Sequence, residues 1–169
     1  MRHPTLRETL ELAWRHGLLV NIEIKALPRL YPGIAGKVVR LVRELGTERA
    51  VILSSFDHEQ LAEVRRLSKR IATAAVTSYR LHDPGRYVRD LLDGDAYNPG
   101  CEALGLGSVG GTVDAAGIRS ALAAGLGVNV WTENDPARMR ALLAAGVTGI
   151  FTDYPNRLAT VLAEAAAGK

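Results

Sequence analysis

The stretch LLVNIEIKAL, residues 18–27, is apolar enough for a buried strand, yet Asn21, Glu23 and Lys25 recur in it at every second position. In an extended chain these three side chains share one face, while Ile22 and Ile24 share the other. An acid and a base in a core are costly unless partnered or holding an ion. What the row means therefore depends on the sheet that contains it. A one-sided antiparallel sheet would turn Asn21, Glu23 and Lys25 to water. A parallel barrel wrapped in helices would turn them inward near the strand's C-terminal end, where such barrels carry their active sites.

The surrounding pattern favours the barrel. Thr5 and Glu8 form a capping box for a helix with Leu6, Leu10, Ala13 and Trp14 on one face, stopped by Gly17. After the opening strand, which ends near Lys25, a helix over about 34–45 closes at Gly46. The run AVILSSFD, residues 50–57, reads as a strand whose Asp57 caps the helix HEQLAEVRRL. Residues 71–77 read as a strand, 87–92 as a short helix and DGDAYNPG, residues 93–100, as a loop. ALGLG (103–107) then reads as a strand, followed by a helix near 114–124 and the strand GVNVWT (127–132). A helix over 136–145, the strand GIFTD (149–153) and a last helix complete the chain. Six strands alternating with helices predict parallel pairing.

The chain has 169 residues, 47% of them hydrophobic, enough for one domain with a sizeable core. The net charge of +3 comes from arginines interspersed with glutamates at helical spacing, as on solvated helix faces, and no basic block with aromatics points to nucleic acid. Cys101 is the only cysteine, which excludes an intrachain disulfide and a cysteine-based zinc site. There is no signal-peptide pattern and no apolar run long enough to span a membrane, so as it stands the chain reads as cytoplasmic.

Four motifs in order, NIEIK (21–25), SSFD (54–57), WTEND (131–135) and GVTGIFTDYP (146–155), each at the end of an expected strand, resemble the glycerophosphodiester phosphodiesterase family. PTLRETLEL (4–12) is similar to the helix that precedes the family's EIK strand, and the resemblance runs from residue 4 to about 162. It implies an α/β fold of the TIM-barrel type and hydrolysis of glycerophosphodiesters to glycerol 3-phosphate and an alcohol, with Mg²⁺ or Ca²⁺ as cofactor. By resemblance Glu23 is a metal ligand, Lys25 a catalytic lysine beside the phosphate, and Phe56 and Trp131 line the substrate cleft. Asp153, ending the last strand where barrels often hold phosphate, is a candidate substrate contact. The chemistry agrees: a carboxylate is a hard oxygen ligand, and a lysine offsets charge on phosphate oxygens.

The family opens with His-Arg-Gly, Glu-Asn-Thr, Glu-x-Asp and His-Asp segments, none of which is present before Pro4, and about six of eight βα units fit in 169 residues at ~30 per unit. Of the four histidines, His82 with Asp83 copies the His-Asp dipeptide but after a different strand and reads as a loop residue, Arg15-His16-Gly17 is a scramble of the family triplet at a helix end, and His3 and His58 fall in the terminus and in a helix's first turn. The expectation is an incomplete barrel, one domain over 1–169, inactive or nearly so alone, and self-associating through open strand edges. It would be either a fragment of a longer protein or a chain that pairs to close the gap. Two rival readings accompany it. One is a non-catalytic relative acting as a binding module. The other is an NAD(P)-binding oxidoreductase, from GLGSVG at 105–110 followed 23 residues later by Glu133 at the end of the next strand.

Overall fold

The computed structural model describes residues 2–25, 31–107 and 111–167. They form two compact units, one of residues 1–75 with 92–94 and one of 76–91 with 95–169. Ala26 and Leu27, and Ser108 to Gly110 of the glycine run, lie outside the described residues.

The first unit is built from consecutive pieces. Helix α1 (Leu6–Arg15) starts on the expected capping box: Thr5 Oγ1 accepts from the Glu8 amide at 3.3 Å, and Glu8 Oε2 accepts from the Thr5 amide at 2.8 Å. Arg2 also pairs with Glu8, and these bonds hold the Glu8 carboxyl down to a pKa of about 2. The helix ends where Gly17 takes a φ of +64°, which a side chain would resist. Strand β1 (Val20–Glu23) leads to helix α2 (Ile34–Glu44) and strand β2 (Val51–Ser55). Helix α3 (His58–Leu67), capped by Asp57 as expected, leads to strand β3 (Ala72–Thr77). Both strand pairs, β1 with β2 and β2 with β3, are parallel.

The two faces of β1 separate as its sequence requires. Ile24 is buried with Leu10, Val38, Val42, Val51, Leu53 and Val64 from α1, α2, β2 and α3, and Val20 and Ile22 pack against that cluster. Asn21, one position out of phase, instead donates from Nδ2 to Ser54 Oγ at 2.9 Å on the opposite face. Trp14 lines the same hollow as Leu10 and Ala13, as their shared helical face implies, but stands at its margin beside Leu18 and is 58% exposed.

In the second unit, α4 (Pro84–Arg86) runs into a wider π turn over Tyr87–Leu91, so the short helix expected at 87–92 begins three residues earlier. Strand β4 (Ala96–Pro99) precedes a 3₁₀ turn (Cys101–Leu104) and helix α5 (Ala115–Ala123). Strand β5 (Gly127–Val130), helix α6 (Pro136–Ala144), strand β6 (Gly149–Ile150) and helix α7 (Pro155–Ala167) complete the unit. β4 pairs with β5 and β5 with β6, again parallel. Six strands are present among the described residues, but the fourth is displaced. It is AYNP, which the sequence presents as loop, whereas ALGLG, expected as strand, closes the 3₁₀ turn and leaves it. All four residues of β4 are buried, and the Gly100 amide continues the ladder to the Thr77 carbonyl at 2.8 Å. Asn98 and Pro99 disguise the strand because they are residues that sequence patterns assign to turns.

Asp83 fixes the start of α4. Its carboxylate accepts from Ser120 Oγ at 2.7 Å and from the Arg86 amide, which lowers its pKa. Gly85 packs so closely on α5 that an added Cβ would meet the Ser120 carbonyl at 2.4 Å. No helix among the described residues is long and apolar enough to cross a membrane. Removing the α1 cap tests the first unit's architecture. Thr5→Ala is expected to destabilise that unit by about 1 kcal/mol, measured as a lowered urea midpoint followed through α1 amide exchange.

Candidate active site

The first unit holds three of the expected site residues. Glu23 ends β1, and its Oε2 lies 3.6 Å from Lys25 Nζ, the two side chains being 29% and 79% exposed. Glu23 lies two positions from Asn21, whose side chain bonds Ser54, and Lys25 follows the strand. The setting of the pair is wetter than a closed interior. Lys25 projects into solvent, and at this distance and exposure the ion pair contributes under about 1 kcal/mol. Phe56 follows the end of β2 and is half exposed. Its neighbour Ser55 is buried and donates from Oγ to the Ile24 carbonyl at 2.7 Å, tying the end of β2 to the end of β1. Sequence reading misses both Ser54 and Ser55; nothing in SSFD distinguishes a serine that braces a strand from one in a loop.

The second unit holds the other two. Trp131 follows β5 directly, in register with Gly100 after β4, and its indole Nε1 donates to the Asn98 carbonyl at 2.9 Å. Asn98 is 1% exposed and its side chain accepts from Asn129 Nδ2 at 3.0 Å. The sequence gives no hint of it, because its segment has the composition of a loop. Asp153 lies three residues beyond β6, and Asn134 holds it: Asn134 Nδ2 donates to Asp153 Oδ2 at 2.8 Å, while Asn134 Oδ1 accepts from Thr152 Oγ1 and the Asp153 amide, both at 2.9 Å. Arg157 stacks over the Tyr154 ring at 3.9 Å and donates to the Asn134 carbonyl. Asp135 caps α6, with Pro136 in its first turn.

The oxidoreductase reading loses its geometry here. The glycine run follows a 3₁₀ turn instead of a strand, and Gly105 (φ +80°) serves as that turn's C-cap. Glu133 is 4% exposed and fully engaged. Its Oε1 accepts from the amides of Asn134 and Asp135 at 2.9 and 2.8 Å, and Cys101 Sγ lies 3.6 Å from Oε2. A carboxylate held in this way is not presented to a ribose hydroxyl. Burial, with the Glu133 charge beside it, pushes the Cys101 thiol up to about 12.

The histidines stay apart from this chemistry. His16 caps the C-terminus of α1, and His58 opens α3. His82 lines an open depression of about 300 Å³ with Asp83, Arg86 and Tyr87. Among the described residues no group of three or more histidine, cysteine or acidic side chains could hold a metal ion. Glu23 offers two oxygens where Mg²⁺ or Ca²⁺ takes six or more, and its nearest charged neighbour is an ammonium group. These residues therefore do not make up a cation site by themselves.

The comparisons with known proteins explain the arrangement. The sequence model of the Glycerophosphoryl diester phosphodiesterase family matches residues 1–157. The chain belongs to that family. It is 33% identical over 160 residues to the Bacillus subtilis (strain 168) protein YqiK, a match that covers 94% of this chain and 62% of that relative. A Glycerophosphodiester phosphodiesterase of Bacillus altitudinis is 32% identical over 163 residues, covering 95% and 63%. The chain thus spans somewhat over three fifths of the length of these two relatives.

Solved structures agree on the fold. A glycerophosphodiester phosphodiesterase from Parabacteroides distasonis superposes with a TM-score of 0.80 at 20% identity, over 96% of this chain and 65% of that one. An Oleispira antarctica phosphodiesterase in complex with the product sn-glycerol-3-phosphate gives 0.80 at 22%, over 94% and 61%. The fold is α/β, TIM-barrel-like and incomplete, with six strands among the described residues.

The thiol provides a test of the Cys101–Glu133 geometry. In the folded protein at pH 8, Cys101 is expected to react with dithiobis(nitrobenzoate) at least ~100-fold more slowly than in the urea-unfolded chain, as stopped-flow absorbance will measure.

Proposed function

We propose that this chain is the larger part of a glycerophosphodiester phosphodiesterase, a single partial-barrel domain over 1–169 that contributes to the hydrolysis of glycerophosphodiesters to glycerol 3-phosphate and an alcohol. The observation that carries the reading is the Glu23–Lys25 pair, 3.6 Å apart at the C-terminal end of β1. Relatives named as glycerophosphodiester phosphodiesterases support it, and so does the product bound in the Oleispira structure.

Each residue has a role in this reading. The Lys25 ammonium, free to reach into solvent, binds a non-bridging phosphate oxygen and offsets the charge that grows there as the ester bond breaks. Glu23 keeps that ammonium oriented and supplies one carboxylate toward a divalent cation, Mg²⁺ or Ca²⁺, whose remaining ligands lie outside this chain's described residues. Such a cation would polarise the phosphoryl group. Phe56 and Trp131 offer flat apolar faces to the glycerol or alcohol portion, the Trp131 ring being fixed through its bond to Asn98. Asp153, held by Asn134, accepts from a substrate hydroxyl through the oxygen that Asn134 leaves open.

Alone, the chain is expected to release no measurable glycerol 3-phosphate from glycerophosphocholine, with or without Mg²⁺ or Ca²⁺. A chimera in which the unmatched part of the Bacillus altitudinis enzyme is fused to this chain is expected to release it in a metal-dependent reaction. In that chimera Glu23→Gln is expected to lower kcat/KM at least 100-fold and Lys25→Ala by 100-fold or more, about 3 kcal/mol of transition-state stabilisation. A chimera that is active and indifferent to both substitutions would remove the assignment.

Left without a partner, the chain self-associates through its strand edges. Multi-angle light scattering is expected to give a concentration-dependent mass above the 18.2 kDa of one chain.

A further inference from the structure

The glycine run that follows β4 shapes the surroundings of one acidic side chain. A Cβ added at Gly107 would lie 3.0 Å from Glu102 Cγ and 3.4 Å from Glu102 Cβ. A Cβ added at Gly100 would lie 3.0 Å from Glu102 Oε2, 3.1 Å from Trp131 Cζ2 and 3.3 Å from Trp131 Cη2. The backbone of Gly100, at φ −68° and ψ 157°, is one that alanine adopts without strain. Gly100 is therefore bare for want of space and not for conformational freedom. The two glycines hold the Glu102 side chain between them and let its carboxylate reach the benzo edge of the Trp131 indole.

This carboxylate differs from the others that follow the strands of the second unit. Glu133 is clamped by two amides and Asp153 is held by Asn134. Glu102 is exposed, and no described residue makes a hydrogen bond or ion pair to its carboxylate. Arg138 of α6, whose charge acts on the neighbouring Cys101, donates instead to the Leu106 carbonyl at 3.0 Å. Besides burial, the Glu133 and Glu102 charges both push the Cys101 thiol up, which marks the end of β4 as electronegative. Trp131, by contrast, is fixed: its Nε1 donates to the Asn98 carbonyl at 2.9 Å, and its ring is partly exposed.

An unpaired carboxylate beside an anchored aromatic ring is complemented by a cation that also carries apolar surface. A primary ammonium brings three N–H donors, more than one carboxylate satisfies. A quaternary ammonium brings none, so its methyl groups can pack on the indole while its charge meets Oε2. We propose that Glu102, with Trp131, forms a subsite for a quaternary ammonium group of the choline type, and that Glu102 selects a cationic alcohol portion over a neutral one. The inference rests on the proposed function for the bond that is cut, but the binding itself is measured without activity.

In the Trp14→Phe chain Trp131 is the remaining tryptophan. Titrated with choline at constant ionic strength, its emission is expected to change saturably. Ethanolamine and dimethylbutanol, the neutral isostere of choline, are each expected to bind about tenfold more weakly or worse. Glu102→Gln is expected to raise the choline dissociation constant at least tenfold and to leave that of dimethylbutanol unchanged. Gly100→Ala, which fills the point between ring and carboxylate, is expected to weaken choline binding as much while leaving the circular dichroism unchanged. If Gly100→Ala does not fold, the exposed Glu102→Gln carries the test. In an active chimera Glu102→Gln is expected to raise KM for glycerophosphocholine at least tenfold and to leave kcat/KM for glycerophosphoglycerol unchanged.

Absence of saturable choline binding would overturn the proposal. So would ethanolamine or dimethylbutanol binding as tightly as choline, or a Glu102→Gln chain that binds choline like its parent. A chimera that binds choline and hydrolyses nothing would instead count against the phosphodiesterase reading and leave the subsite standing.

Discussion

Everything else in the first unit depends on how β1 divides its side chains. Val20, Ile22 and Ile24 must reach the helices to complete the cluster around Val42, Leu53 and Val64. With a two-residue period, that choice forces Asn21, Glu23 and Lys25 to the other face. A slip of one residue would drive an acid and a base into the dry side of the sheet, costing several kcal/mol per buried charge. Register and chemistry are therefore set by the same alternation, and the Asn21–Ser54 bond marks the polar side of the boundary.

The second unit solves a different problem, that of holding irregular backbone after its strands. Glu133 satisfies two amides at the start of α6, and Asn134 ties Thr152 and Asp153 to the same turn. These side chains take the place of a ladder where the strands have stopped, since buried amide and carbonyl groups need partners wherever they fall. Asn98 does similar work for Trp131, through its main-chain oxygen. The motif WTEND thus contains three kinds of residue: an aromatic anchored to a main-chain carbonyl, a structural acid with its amide clamp, and a helix cap. Sequence resemblance alone does not separate them.

How far the sequence can be read depends on how local each signal is. Caps are local, and Thr5, Asp57 and Asp135 each start the helix their side-chain oxygens predict. The separation of Val20, Ile22 and Ile24 from Asn21 is legible because strict alternation leaves no other arrangement. The fourth strand is not, since AYNP carries the residues of a turn and is extended only because its neighbours demand a ladder partner. The exposure of Trp14 and Lys25 is also out of reach, because it depends on what covers β1 and not on either residue's own neighbours in sequence. Glu133 misleads for a related reason: a carboxylate at a strand end looks the same whether it awaits a ligand or braces a loop.

The order in which the core of the first unit assembles has a consequence for biosynthesis. Every member of its buried cluster lies between Leu10 and Ile71, and each strand there pairs with its immediate predecessor. Such a unit can condense on the ribosome as soon as those residues clear the exit tunnel, before residues 92–94 have emerged. Residues 92–94 arrive later and close it, with Asp93, in the left-handed region at a φ of +51°, reaching Lys69 at 2.7 Å. A synonymous change that altered translation speed after Ile71 has emerged from the tunnel and before residues 92–94 have would therefore act on a nascent intermediate whose hydrophobic interior is already made and whose polar latch is still inside the tunnel.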